Sequence, residues 1–215
     1  MAYRYIFCIL IGYAIGAVNP SYFLAKLRGF DIRQKGSGNA GASNALMLFG
    51  RFLGIACALF DIAKAFLAIL LCKWLFPSLA FTLPVTGVAT VIGHIFPFYM
   101  RFRGGKGLAC IGGTILAFDW RVFLAMLAGE AVLAILVNYI CFVPMTASVI
   151  FPIVYGLMAR DLWGALILCL LIPVIFYKHK ENLVRIRRGE EMRLSFLWNK
   201  EKELERIHIP EPPNK

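Results

Sequence analysis

The sequence predicts an all-α, polytopic integral membrane protein, one domain over residues 1–215. Three observations predict it. The chain is 60% hydrophobic, with a mean hydropathy of +0.73, well above the ~45–50% apolar content of soluble domains. The apolar residues fall in repeated runs, several long enough to cross a bilayer. Barrel-type alternation is not visible, and in lipid every backbone polar group must be satisfied within the protein, which favours a helical bundle.

Seven apolar segments follow one another: Tyr5–Leu27, Phe52–Leu75, Ala80–Met100, Leu108–Phe118, Val122–Tyr139, Cys141–Met158 and Leu162–Tyr177. The first faintly resembles a signal peptide, but polar Asn19, Pro20 and Ser21 follow and further spans come after it. The third carries Gly87, Gly93 and Pro97. The fourth has only 11 residues, which at 1.5 Å per residue covers roughly 16 Å of a ~30 Å core. It is a half-span, or it extends back through the preceding glycines. From Lys178 to Lys215 runs a charged, partly amphipathic tail.

The charged residues orient these segments. With the N-terminus outside, 18 Lys and Arg fall on the inner side and four (Arg4, Lys73, Arg121, Arg160) on the outer, with Lys64 inside a span. An odd number of crossings, seven, then satisfies the positive-inside rule and makes the tail cytoplasmic. The same asymmetry accounts for the net charge of +11 without invoking nucleic acid. Six cysteines (8, 57, 72, 110, 141 and 169) lie in apolar segments with no CxxC pair, so neither a disulfide framework nor a metal site is expected.

Three polar stretches converge on the cytoplasmic side in this topology. The first is Gly36-Ser37-Gly38-Asn39-Ala40-Gly41-Ala42-Ser43-Asn44, with three glycines in six positions. Such a loop aims several N–H groups at one point, and it ends where an apolar segment begins, so that Asn39 or Ser43 is placed to cap a helix. Backbone donors at a helix start favour a phosphate; a flexible linker is the plainer reading. The second stretch, Arg101-Phe102-Arg103-Gly104-Gly105-Lys106-Gly107, surrounds one lysine with glycines. It suits a phosphate oxygen or is a basic membrane-edge loop, and it lacks Walker A spacing. The third is His179–Glu191, where helical spacing puts His179 and Asn182 on one face. It offers donors to a second anion, or it is an interfacial basic helix.

Ionisable residues inside spans call for partners. Asp61 and Lys64, at i,i+3, are expected to pair; His94 is expected to hydrogen-bond within the bundle; Glu130 needs a partner that the sequence does not name. There is no G-x-S-x-G elbow, no HExxH, and no aspartate five positions after His94 or His179. Three anion-holding loops without an evident nucleophile–base pair suit a transfer reaction run by positioning and charge stabilisation.

Together these residues resemble the three motifs of the bacterial acyl-phosphate-dependent glycerol-3-phosphate acyltransferase (PlsY) family. Gly36-Ser37-Gly38-Asn39 with Gly41 and Asn44 forms the first; Gly104-Gly105-Lys106-Gly107 the second; His179, Glu181, Asn182, Arg185, Gly189 and Glu190 the third. Asn19-Pro20-Ser21, Asp61 with Lys64, and Gly93-His94-Ile95-Phe96-Pro97 agree with it. The resemblance implies a seven-helix inner-membrane enzyme that moves an acyl chain from acyl phosphate to the sn-1 hydroxyl of glycerol 3-phosphate, giving lysophosphatidate and phosphate. It implies no cofactor, no metal, membrane lipid as surroundings, and a monomer. Lys106, Ser37 and His179 would be catalytic. Gly36, Gly38, Asn39, Gly41, Asn44, Gly104, Gly105, Gly107, Asn182, Arg185 and Glu190 would bind substrate.

The chain departs from that pattern at two places. An arginine expected three residues after Asn44 is Met47, and a Thr-Arg-Tyr-Val-Ser segment reads Val137-Asn138-Tyr139-Ile140-Cys141. Neither Met nor Asn replaces a guanidinium's bidentate phosphate contacts. Either Arg101, Arg103 or Arg185 compensates, or affinity is poor, or the substrate has changed. The alternatives are a divergent, weakly active or inactive paralogue that binds phospholipid or acyl phosphate, and a small-anion or lipid transporter.

Overall fold

The computed structural model describes residues 2–207; residues 208–215, the end of the expected cytoplasmic tail, lie outside the described residues. Helices are the only regular elements among the described residues. Six stretches are long and apolar enough to cross a membrane: 2–27, Arg51–Leu75, Thr82–Met100, Trp120–Val137, Phe142–Ala159 and Leu162–Arg188.

The first stretch is two helices, α1 (Ala2–Ala17) and α2 (Pro20–Leu27). Pro20 starts α2 because a helix's first position needs no N–H, and Asn19 caps it by accepting from Tyr22 N. Helix α3 (Ala42–Phe49) follows the first polar loop, and α4 (Arg51–Leu75) carries Asp61 and Lys64. Helix α5 (Thr82–Ile95) crosses α1 with backbones nearly touching: a Cβ on Gly16 would overlap the Thr90 carbonyl, and one on Gly93 the Tyr13 carbonyl. Small residues at this seam permit the approach that dispersion needs in lipid.

Helix α6 (Leu108–Phe118) keeps its 11 residues. It does not extend back through the glycines, because Gly107 at φ 91° ends the preceding turn. Its length suits its place: Cys110, Ile111, Thr114 and Ile115 are buried, and α6 packs against α4, α5 and the two helices that follow it. Helices α7 (Trp120–Val137) and α8 (Phe142–Ala159) follow, then α9 (Leu162–Cys169) and α10 (Leu171–Arg188). Glu130 of α7 finds its partner in Thr146 of α8, whose hydroxyl donates to Oε2 at 2.7 Å. Helix α10 does not end at Tyr177. It continues to Arg188 and carries His179 and Asn182 buried, so the first part of the expected tail belongs to the bundle. A 3-10 turn (Leu194–Leu197) and α11 (Lys200–Arg206) complete the described chain.

Candidate active site

Asn44 holds the first loop in shape. Its Oδ1 accepts from Ser37 N at 2.9 Å, and its Nδ2 stands 2.9–3.0 Å from the carbonyls of Ile32, Lys35 and Asn39. The side chain is fully buried and its bonding capacity is taken up inside the loop. Asn44, expected to bind substrate, thus spends its side chain on the loop's own backbone and shapes the loop from beneath. A Cβ on Gly36, at φ 60°, would overlap Asn44 Oδ1, which explains the glycine. Neither Asn39 nor Ser43 caps α3; the cap is Gly41, without a side-chain bond. The N–H groups from Asn39 through Ser43 consequently have no acceptor among the described residues. Ser37 and Gly38 are exposed beside them.

The second loop doubles back on the end of α5. Gly104 N donates to Ile95 O at 2.9 Å and Gly105 N to His94 O at 3.1 Å. A Cβ on Gly105 would overlap the His94 ring. The next residue, Lys106, is thereby launched from a fixed backbone. His94 is itself fixed from α4: Lys64 Nζ lies 2.6 Å from Asp61 Oδ1, 3.1 Å from His94 Nδ1 and 2.6 Å from the Val18 carbonyl. The expected Asp61–Lys64 pair is thus a triad under the lysine loop. Asp61, His94 and Cys110 cluster as metal ligands would, but Lys64 Nζ contacts both Asp61 Oδ1 and His94 Nδ1, which themselves stand 3.5 Å apart.

Lys106 Nζ donates to Asn182 Oδ1 at 2.5 Å. The same carboxamide donates from Nδ2 to Glu191 Oε1 at 2.5 Å, and Glu191 Oε2 pairs with Arg185 Nε at 2.6 Å. The second and third stretches therefore form one polar chain. Its carboxylate is Glu191, which is buried, and not Glu190, which is exposed. Two adjacent glutamates look alike in sequence; the positive φ of Gly189 turns the second one inward. His179 is buried one helical turn from Asn182, with Nδ1 2.8 Å from the Ile175 carbonyl. A carbonyl only accepts, so Nδ1 carries the proton and a neutral ring leaves Nε2 free. Burial pulls the Lys106 ammonium down to about 8, while the Glu191 carboxylate holds it up.

The first loop is tied to this end through Arg33, whose Nη1 donates to Met100 O at 2.5 Å just before the lysine loop. Arg33 is otherwise paired with Asp31 at 2.6 Å, and Arg185 with Glu191. Arg101 and Arg103 are exposed. Asn138 is turned toward the tail: its Oδ1 accepts from Ser195 N at 3.0 Å. Burial pushes the Cys141 thiol up to about 11, so at neutral pH it is no nucleophile.

A sequence model of the family described as Glycerol-3-phosphate acyltransferase matches residues 6–189. The chain is 34% identical to a glycerol-3-phosphate acyltransferase of Thermosipho melanesiensis over 87% of this chain and 92% of the relative. It is also 34% identical to one of Bacillus velezensis, over 87% and 96% respectively. The crystal structure of PlsY (YgiH), an integral membrane glycerol 3-phosphate acyltransferase, in its glycerol 3-phosphate form superposes with a TM-score of 0.80 at 29% identity, covering 90% of this chain and 96% of that one. Its lysophosphatidic acid form superposes at 0.75, also at 29% identity, covering 88% and 94%. With the family matched across nearly all of α1 to α10, and its lysine and its histidine–asparagine face joined by one chain of hydrogen bonds, this protein belongs to the glycerol-3-phosphate acyltransferase family.

Proposed function

We propose that this acyltransferase moves an acyl chain from acyl phosphate to the sn-1 hydroxyl of glycerol 3-phosphate, at the cytoplasmic face of a bacterial inner membrane. The observation that carries the reading is the polar chain Lys106–Asn182–Glu191–Arg185 beside His179. It presents two cations and a carboxamide at one bundle end, where a phosphate-bearing substrate has somewhere to be gripped. The unpaired N–H groups from Asn39 to Ser43 supply a second anion cradle on the loop tied to that end.

The hydroxyl oxygen of glycerol 3-phosphate attacks the acyl carbonyl carbon. The bond from that carbon to the phosphate oxygen breaks, and phosphate leaves with the electron pair. The hydroxyl proton passes to a phosphate oxygen of the donor, which becomes the leaving group, so lysophosphatidate and inorganic phosphate result. Lys106 neutralises the charge that grows on the leaving phosphate. His179, with its proton on the Ile175 side, offers Nε2 to orient the attacking hydroxyl. Ser37 and the amides beside it hold the donor's phosphate, Arg185 and Asn182 hold the acceptor's, and Asn44 and Glu191 shape the two grips. Glu190 has no part.

The test is the purified chain in detergent, given acyl phosphate and glycerol 3-phosphate, with phosphate release followed. Acyl carrier protein and coenzyme A thioesters serve as competing donors. Release from acyl phosphate alone supports the assignment; faster transfer from a thioester overturns the donor. Met47 and Asn138 favour a second reading, a paralogue that binds these substrates without turnover. Restoring both arginines separates the two: a large gain in rate marks a decayed enzyme, and no change marks adaptation.

A further inference from the structure

We propose that the segment Arg193–Arg206 is a latch that positions the substrate-gripping side chains of α10, with Arg206 as its positioning residue acting through Glu191. The segment lies beyond the residues matched to the family, which end at Gly189. It is nevertheless built into the candidate site. Arg206 Nη2 donates to the Glu191 carbonyl at 2.5 Å, and Nη1 donates to the Gly189 carbonyl. One guanidinium thus spans the turn from which the Glu191 side chain reaches both Asn182 and Arg185.

The guanidinium is held in turn. Glu203 is buried, and its Oε2 accepts from Arg206 Nε at 3.1 Å and from Nη2 at 2.9 Å. Its Oε1 accepts from Ser195 Oγ at 3.2 Å. A buried carboxylate with an arginine fork and a hydroxyl is a fixed arrangement, unlike a solvated tail.

The latch is anchored at two other places on the same end. Leu194 N donates to the Asn138 carbonyl at 2.9 Å, and Ser195 N to the Asn138 side chain at 3.0 Å. Arg51 Nη2, at the start of α4, donates to Leu197 O at 3.2 Å. Asn138 stands where the resemblance calls for an arginine. In this chain its backbone and its carboxamide both serve the latch, so the departure goes with a contact of its own. The relay runs Arg206 to Glu191, Glu191 to Asn182, and Asn182 to Lys106. Freeing Arg206 lets the 189–191 turn move, and the orientation of the Asn182 carboxamide is lost with it.

This inference rests on the proposed role of Asn182 and Arg185 in gripping glycerol 3-phosphate, and two measurements on the full chain in detergent keep the two claims apart. The first compares Arg206→Ala and Arg206→Lys with the parent in steady-state turnover. The latch requires KM for glycerol 3-phosphate to rise about tenfold in Arg206→Ala, the loss of roughly one charge-assisted hydrogen bond, with kcat falling less and Arg206→Lys recovering much of the difference. A fall in kcat at unchanged KM would mean only less folded enzyme, and overturns the positioning role. The second is hydrogen exchange at the Glu190 and Glu191 amides, which donate to Arg185 O at 2.8 and 3.3 Å. Faster exchange in Arg206→Ala supports the latch and equal exchange overturns it. A parent protein that does not turn over glycerol 3-phosphate would sink the functional reading, and the exchange data would still decide the latch.

Discussion

Lys106 Nζ and Asn182 Oδ1 stand 2.5 Å apart although 76 positions separate them in the chain. The asparagine is oriented by its other end, because Nδ2 donates to the Glu191 carboxylate. Only an acceptor oxygen can then face the ammonium. The second and third motifs are thereby one device, set by an amide whose direction is fixed.

Lys106→Met should abolish most turnover. Removing a single preorganised electrostatic contact of this kind costs about 10²–10³ in kcat. Lys106→Arg keeps the charge but replaces a compact ammonium with a broad planar fork that does not fit the same spot against Asn182, and should retain a small part of the rate. Steady-state phosphate release checks both, and near-normal kcat in the Met variant removes the charge-stabilising role.

Lys106 also sets a pH dependence. Its ammonium titrates at about 8, below the usual 10.5 for lysine, because burial disfavours the charge. In the proposed role the ammonium is the active form, so kcat/KM should be level below that value and fall as pH rises through it. Stability moves the other way. The folded state binds fewer protons than the unfolded chain between about 8 and 10.5, so this group's contribution rises with pH across the window. A pH–rate profile of the parent and of Lys106→Arg, whose guanidinium stays charged, checks the assignment: the alkaline limb should be lost in the variant.

The two neighbouring glutamates should behave differently. Glu191→Gln weakens the links to Arg185 and Asn182, and should raise KM for glycerol 3-phosphate about tenfold or more, the effect of roughly 1.5–3 kcal/mol in a charged hydrogen bond. Glu190→Gln changes an exposed side chain and should leave kcat and KM within twofold, the ±0.5 kcal/mol range of ordinary surface substitutions. Equal effects at both positions would contradict the geometry.

Beneath the lysine loop, Lys64→Met leaves the buried Asp61 carboxylate without its ammonium, 2.6 Å away in the parent. Breaking one half of a buried pair costs about 3–5 kcal/mol, whereas replacing both partners often costs far less. Thermal unfolding in detergent should show a large drop in Tm for Lys64→Met and substantial recovery in the double variant Asp61→Asn, Lys64→Met. A double variant no better than the single one would place the role of Lys64 elsewhere, in its bond to the Val18 carbonyl.

Much of this protein was readable from residue order. Apolar runs of spanning length, the pairing of Asp61 with Lys64, and the helical spacing of His179 and Asn182 are all local patterns. Local patterns survive in any fold that forms those helices. The cap of α3 is not legible in this way: the residue types favour Asn39 or Ser43, but the chain enters the helix at extended Gly41 and leaves the first N–H groups open. An asparagine in a glycine loop shows nothing of its partners in sequence; the three carbonyls around Asn44 come from residues 5 to 12 positions away and are met only in the folded loop.

What the sequence determined by itself was the class of molecule and the polar groups it sets apart: a helical membrane protein with one lysine among glycines and one histidine–asparagine face. The tertiary structure decided which groups meet. It chose Glu191 over Glu190, set Lys64 against both Asp61 and His94, and laid Arg206 across the 189–191 turn. Periodicity follows from the backbone of one helix, so it can be read along the chain. Contact between distant segments depends on how several helices pack, and a one-residue difference in a turn decides which of two equal side chains points inward.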